Sequence, residues 1–167
     1  RRTRHSTALI MIDLDFFKKV NDTWGHDVGN QALISTAQTL FKAIRQLDTP
    51  CRYGGEEFAV ILPTVDLITA LQVAERIRTV IDDTPVMVEG RDIGLTASLG
   101  VALYEADQGD ITLEKFVARA DNCLYQAKQG GRNQVCHETV DMKSGLSISQ
   151  EEKQALSGLF GGYDDHF

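Results

Sequence analysis

The chain has few cysteines, no excess of basic charge and no long apolar run, and each shortage removes a class of protein. Cys51, Cys123 and Cys136 are the only cysteines among 167 residues; they are odd in number, far apart and form no C-x-x-C pair. This argues against a disulfide framework and a zinc site, and for reduced thiols in a cytosolic protein. No apolar stretch approaches the roughly 18 residues that a membrane span requires, and no signal peptide opens the chain. The expectation is a cytoplasmic domain without a membrane segment, whose parent protein could be anchored elsewhere. Lys and Arg number 17 against 24 Asp and Glu, a net charge of −7. Binding of a nucleic-acid polymer calls for the opposite sign. No internal repeat appears. What remains is 43% hydrophobic, suited at this length to one domain with a sizeable core.

Hydrophobic periodicity outlines that domain. Residues 8–12 form a continuous apolar run, the mark of a strand covered on both faces. Leu33, Ala37, Leu40 and Ile44 repeat at helical spacing, as do Leu71, Ala74, Ile77 and Ile81, and Leu113, Val117, Ala120, Leu124 and Ala127. Leu95 to Leu103 alternates as a strand, with a short edge strand expected at 86–88 and a final strand at 134–136. The order β-α-β-β-α-β-α-β predicts an α+β sandwich, a ferredoxin-like βαββαβ core with additions and a mainly antiparallel sheet. Residues 1–137 are expected to form this domain. Residues 138–167 are a C-terminal appendage in which Ser149–Glu152 resembles a capping box.

Two acidic clusters carry the chemistry. The first is Arg52-Tyr53-Gly54-Gly55-Glu56-Glu57-Phe58, read as a two-residue hairpin turn whose glycines take φ > 0 and leave backbone open to a ligand. The second is Asp13-Leu14-Asp15 at the end of the apolar run. A carboxylate there is costly to desolvate unless paired or bound to metal. Asp13 brought beside Glu56 or Glu57 makes an oxygen-rich site suited to Mg²⁺ with substrate phosphates.

Gly54-Gly55-Glu56-Glu57-Phe58 resembles the GGDEF/GGEEF signature of diguanylate cyclases, enzymes that join two GTP into cyclic di-GMP. The segments 13–22, 25–29, 120–121, 125–128 and 131–133 resemble further motifs of that family, in order and spacing, so the likeness covers about residues 7–136. The resemblance implies a fold similar to nucleotide cyclases and polymerase palms. It implies that Asp13, Glu56 and the Leu14 carbonyl hold Mg²⁺ (or Mn²⁺), with Glu57 adding to the site, and that Glu56 accepts the proton of the 3′-hydroxyl. Lys18, Lys128 and Arg132 would neutralise phosphate charge, Asn21 would bond the guanine, and His26 would lie on the nucleotide side of the same loop. Each domain would hold one GTP, so turnover would need a homodimer of facing domains. Arg45-x-x-Asp48, with five residues between Asp48 and Gly54, resembles the family's inhibitory site for cyclic di-GMP, with Arg76 as a secondary contact.

The chain departs from the family pattern where Gly29 is followed by Asn30 rather than Asp. An amide offers one acceptor oxygen where a carboxylate offers two, and its NH₂ cannot pair with guanine N1–H and N2–H. The expected loss is about 1–3 kcal/mol, roughly ten- to a hundredfold in affinity. The usual Leu-Thr-x-Leu-x-Asn-Arg opening is absent, which suggests a fragment of a larger signalling protein with its regulatory domain upstream. Two rivals stand beside the cyclase: a sensor that binds cyclic di-GMP or GTP without turnover, and a cyclase of altered base choice. Phe16-Phe17 is expected to pack in the core, one of Lys18 and Lys19 to be a solvated loop residue, and Gly130-Gly131 to stop a helix.

Overall fold

The computed structural model describes residues 6–139. The elements run β1 (Ser6–Leu14), α1 (Phe17–Trp24), α2 (His26–Ala43), β2 (Thr49–Arg52), β3 (Glu57–Pro63), α3 (Leu67–Asp83), β4 (Val86–Val88), β5 (Arg91–Ile93), β6 (Ala97–Glu105), α4 (Leu113–Gln129) and β7 (Val135–His137). The main sheet has the order β2-β3-β1-β6-β7. Its first four strands are antiparallel and in ferredoxin-like order; β7 adds to β6 in parallel. The α+β architecture expected from the periodicity is the one observed. The C-terminal appendage lies, from residue 140 on, outside the described residues.

Strand β1 reads as unbroken apolar sequence because helices cover both faces of the sheet. Ala8, Ile10, Ile12 and Leu14 join Phe58, Val60 and Leu62 against Val20, Ala32, Ala70 and Ala74 of α1, α2 and α3. Leu9, Met11, Ala59 and Ala102 face the other way, against Ala120 and Leu124 of α4. A strand alternates its side chains between faces, so residue parity alone states which helix each one meets. Helix α3 starts at Asp66, whose carboxylate accepts the Thr69 N–H at 2.7 Å, and α4 starts at Thr112, whose hydroxyl accepts from Lys115 N–H at 3.3 Å. Gly100 of β6 lets α4 lie directly on the sheet: a Cβ there would stand 2.2 Å from the Leu124 nitrogen and 2.3 Å from the Ala120 oxygen.

Four local expectations are corrected. Lys18 and Lys19, one of them expected as a solvated loop residue, both stand exposed on the helix α1, which joins α2 through Gly25 at φ 88°. Val86–Val88 does not edge the main sheet but pairs with Arg91–Ile93 in a separate two-stranded sheet. Phe17 is buried as expected, whereas Phe16 is 62% exposed with φ 56°. The β2–β3 connection is a four-residue loop rather than a two-residue turn: Arg52 pairs with Phe58, and the N–H groups of Tyr53 and Gly54 both donate to the Glu57 carbonyl, at 2.8 and 3.2 Å.

Neither Gly54 nor Gly55 takes a positive φ. At position 54 glycine leaves room for the Glu57 carboxylate to stand where it does. A Cβ on Gly54 would lie 2.7 Å from Glu57 Oε2, whereas one on Gly55 would meet nothing within 4 Å. The Arg52 guanidinium closes the loop, with Nε 3.1 Å from the Gly54 and Gly55 carbonyls and Nη2 2.7 Å from that of Gly55.

Candidate active site

Asp13 shares the parity of Leu9 and Met11, so its carboxylate joins the α4 face at the end of β1, where it is 7% exposed. The register sets Glu57 directly opposite on β3. Two carboxylates facing across neighbouring strands repel unless a cation lies between them. One cation is supplied by the last turn of α4: Lys128 Nζ donates to Asp13 Oδ2 at 2.5 Å. Glu56 precedes Glu57 at the loop, half-buried, and its carbonyl accepts the Leu14 N–H at 3.2 Å. Asp13, Leu14, Glu56, Glu57 and Lys128 thus meet at one end of the sheet, beside the Gly54-Gly55 backbone.

Negative charge at this end exceeds what one ammonium balances. The Glu57 carboxyl is held above its usual range, first by burial and then by the charge of Asp13, with Lys128 pulling it back and Asp121 and Glu56 adding to the rise. Asp121, two turns before Lys128 on the same face of α4, is also raised by burial and drawn down by Lys128. Among the described residues no three His, Cys, Asp or Glu side chains are grouped to hold a metal by themselves. A pair of carboxylates short of positive charge fits Mg²⁺, which takes few protein ligands and completes its shell with water and phosphate oxygens.

The α4–β7 connection brings a second basic group to the same end. Asp15, 5% exposed, accepts from Thr96 Oγ1 and Ser98 Oγ at 2.7 Å each and from the Asn133 N–H at 3.0 Å. These bonds pin the loop that carries Arg132, whose guanidinium carbon lies 4.6 Å from the centroid of the Phe16 ring. The Asn133 side chain continues the anchor, accepting from Arg78 Nη1 at 2.7 Å and donating to Asp82 Oδ2 at 3.1 Å.

On the α1–α2 side, Asn21 and Gly29 form a matched pair. A Cβ on Gly29 would stand 1.8 Å from Asn21 Oδ1, so only glycine admits the Asn21 amide between the two helices. The Asn21 carbonyl accepts the Gly25 N–H at 2.8 Å, which holds the interhelical turn. His26 and Asn30, the first and fifth residues of α2, are exposed, as is Lys18 on α1.

Arg45, Asp48 and Arg76 stand apart from this cluster. Asp48, 6% exposed, accepts from the Arg45 backbone N–H at 2.8 Å and from its guanidinium Nη2 at 2.9 Å. Arg76 Nε donates to the Ala43 carbonyl at the end of α2, at 2.7 Å. Arg45 also reaches the Pro63 carbonyl, at the opposite end of β3 from Glu57. Six strand residues at about 3.3 Å each set the two sites roughly 20 Å apart. Asp48 is thus committed to its own loop.

Sequence reasoning missed Asp15, Phe16, Arg52 and Asn133 as supports of the site. The signal for Asp15 was present as polar Thr96 and Ser98 inside a buried strand. Phe16 and Asn133 lie inside the motif-like segments 13–22 and 131–133, but their supporting roles did not show there, because the partners Arg132, Asp15, Arg78 and Asp82 are all remote in sequence.

A family model described as diguanylate cyclase, GGDEF domain, matches residues 1–134. The response regulator PleD of Caulobacter vibrioides is 49% identical over 130 residues, covering 77% of this chain and 28% of its own length. Diguanylate cyclase A of Treponema denticola is 42% identical over 132 residues, 79% of this chain and 35% of its own. The chain therefore spans about a third or less of the length of these relatives. Among solved structures, Pseudomonas aeruginosa SiaD, determined with its activator SiaC, superposes with a TM-score of 0.76 at 39% identity, over 80% of this chain and 50% of that one. The GGDEF domain of Caulobacter crescentus DgcB, determined with c-di-GMP, gives 0.74 at 32% identity, over 80% and 78%. No helix among the described residues is long and apolar enough to cross a membrane. With the family model matching residues 1–134 and relatives this similar in sequence and fold, the chain belongs to the GGDEF family of diguanylate cyclase domains.

Proposed function

We propose that this domain condenses two GTP into cyclic di-GMP with release of two pyrophosphates, as one half of a homodimer in which two sites face each other. The observation that supports this best is the under-compensated Asp13–Glu57 pair beside the bare Gly54-Gly55 backbone, with Lys128 and Arg132 at the same end. Asp13, Glu56 and the Leu14 carbonyl would hold Mg²⁺ (or Mn²⁺), with Glu57 adding to the site. When bound, the cation supplies charge neutralisation at the triphosphate and acidifies the attacking hydroxyl. Glu56 accepts the 3′-hydroxyl proton. Lys128 passes from Asp13 to the phosphates, and Lys18 and Arg132 take up the remaining charge, since phosphoryl transfer is catalysed mainly by positioning and electrostatics. Asn21 bonds the guanine over Gly29, and His26 and Asn30 line the same side. Turnover would require that two copies be brought together.

Mass analysis of products tests this: the protein, stripped of carried-over nucleotide, is incubated at high concentration with Mg²⁺, GTP and ATP. Cyclic di-GMP and pyrophosphate are expected. No product with tight cyclic di-GMP binding would establish the sensor reading instead.

Asn30 favours a second reading of substrate choice. It is exposed and follows Gly29, the neighbour of Asn21, which supports reading it as the counterpart of the carboxylate that selects guanine in the family. Asn30→Asp is expected to raise kcat/KM for GTP about ten- to a hundredfold and to remove any mixed product made with ATP. Unchanged kinetics would take Asn30 out of base recognition.

Cyclic di-GMP would inhibit through Arg45, Asp48 and Arg76. Because Asp48 is held by Arg45, the ligand must divide that pair, and Arg45 is the group free to turn, its side chain being 43% exposed. Arg45→Ala is expected to weaken cyclic di-GMP binding by about ten- to a hundredfold, the loss of a charged hydrogen-bond partner. Titration calorimetry showing undiminished binding would remove this site.

A further inference from the structure

Phe16 spends conformational energy without burying its ring. Its φ of 56° and ψ of 31° place a bulky side chain in the left-handed region, which is strained for any residue with a Cβ, yet it is 62% exposed. Across from it, Arg132 and Asn133 are also left-handed, at φ 63° and 45°. The two strained segments meet. Below, Asp15 accepts the Asn133 N–H at 3.0 Å; above, the Arg132 guanidinium lies over the Phe16 ring at 4.6 Å. Among the described residues the Arg132 guanidinium has no carboxylate and no hydrogen-bond acceptor, so the ring is what orders it. The Arg132 N–H bonds the Ala127 carbonyl at 3.0 Å, which fixes the backbone but leaves the long side chain free.

We propose that Phe16 is a positioning residue, whose exposed ring holds the Arg132 guanidinium on one face and leaves its N–H edge to a phosphate. The inference rests on the nucleotide reading above and deepens it. A guanidinium over a ring face keeps its in-plane donors available, whereas a carboxylate partner would occupy them. Asp15 and Phe16 are consecutive, so the end of β1 sets both the height of the loop and the direction of its cation. The arrangement lowers the side-chain entropy lost when an otherwise free arginine meets a phosphate.

The test measures binding by calorimetry, in Mg²⁺, of a non-hydrolysable GTP analogue and of guanosine to the 167-residue chain. A cation–π contact of about 0.5–2 kcal/mol corresponds to roughly a two- to thirtyfold change in Kd. Phe16→Leu is expected to weaken the analogue by a factor in that range and to leave guanosine unchanged. Phe16→Tyr, which keeps the ring, restores the binding. In an Arg132→Ala background Phe16→Leu adds nothing further. The ring-current shift of the Arg132 Nε–H resonance, which needs no nucleotide, should vanish in Phe16→Leu and persist in Phe16→Tyr. An equal loss for guanosine, a full Phe16→Leu effect without Arg132, or an unshifted Arg132 resonance would each overturn the proposal. If the unaltered chain bound no analogue, the cyclase reading and this inference would fall together. Binding that Phe16→Leu left intact would sink this inference alone.

Discussion

Gly100→Ala is expected to lower the melting temperature by about 10 °C, the effect of roughly 3 kcal/mol of overpacking in a chain of this size. The added methyl would stand 2.2 Å from the Leu124 nitrogen, 2.3 Å from the Ala120 oxygen and 2.8 Å from the Leu124 Cα, all backbone atoms of α4. A flexible side chain could swing aside; a helix backbone moves only as a body. Moving α4 outward opens the contacts of Ala120 and Leu124 with Leu9, Met11 and Ala102 and lifts Lys128 away from Asp13. Activity should therefore fall along with stability. Thermal unfolding followed by circular dichroism checks it, with Gly94→Ala as the control, since a Cβ there meets nothing within 4 Å. A Gly100→Ala protein that melts with the unaltered one would mean that α4 does not bear on β6 as described.

Asp13→Asn is expected to separate function from stability. Product formation should drop by about a thousandfold, because a charge aimed at the reacting phosphates and their cation is lost. The fold should lose little. Asp13 lies directly opposite Glu57, so neutralising it removes a like-charge repulsion as well as the Lys128 pair. Lys128 is 32% exposed at its side chain and can turn to solvent. With Asp13 uncharged, the Glu57 carboxyl should move back toward its usual range, since that charge is the second cause of its rise after burial. The decisive readings are the rate of pyrophosphate release at saturating Mg²⁺ and the melting temperature. Retention of more than a tenth of the rate would remove Asp13 from the reaction. A large fall in melting temperature would make the pair a structural one.

These two residues show what kind of information each level carries. Asp13 was legible because a carboxylate ending an apolar strand is costly without a partner, and that partner could be guessed from the acids at the glycine loop. Gly100 was not legible. It reads as one small residue in an alternating strand, and its necessity comes from a helix that packs on it after more than ten intervening residues. The same holds within the loop itself: the Gly54-Gly55 signal located the turn correctly, but the turn closes over four residues, and Gly54 is needed for the Glu57 carboxylate rather than for a positive φ. Arg45-x-x-Asp48 was visible as a spacing; that Asp48 is buried and bonded by its own arginine is a fact of packing.

The amino-acid sequence alone determined the strand covered on both faces, the three longer helices, the α+β order, the acidic glycine loop and the family to which the motifs point. These follow from periodicity and spacing, which are properties of neighbouring residues. Only the tertiary structure decided that Glu57 stands opposite Asp13, that Lys128 reaches across 115 positions to pair with it, and that Asp15 anchors a loop 118 positions away. Such contacts depend on strand register and on the height of a helix above a sheet. Both are set by how well all the side chains pack together, so no local stretch of sequence contains them.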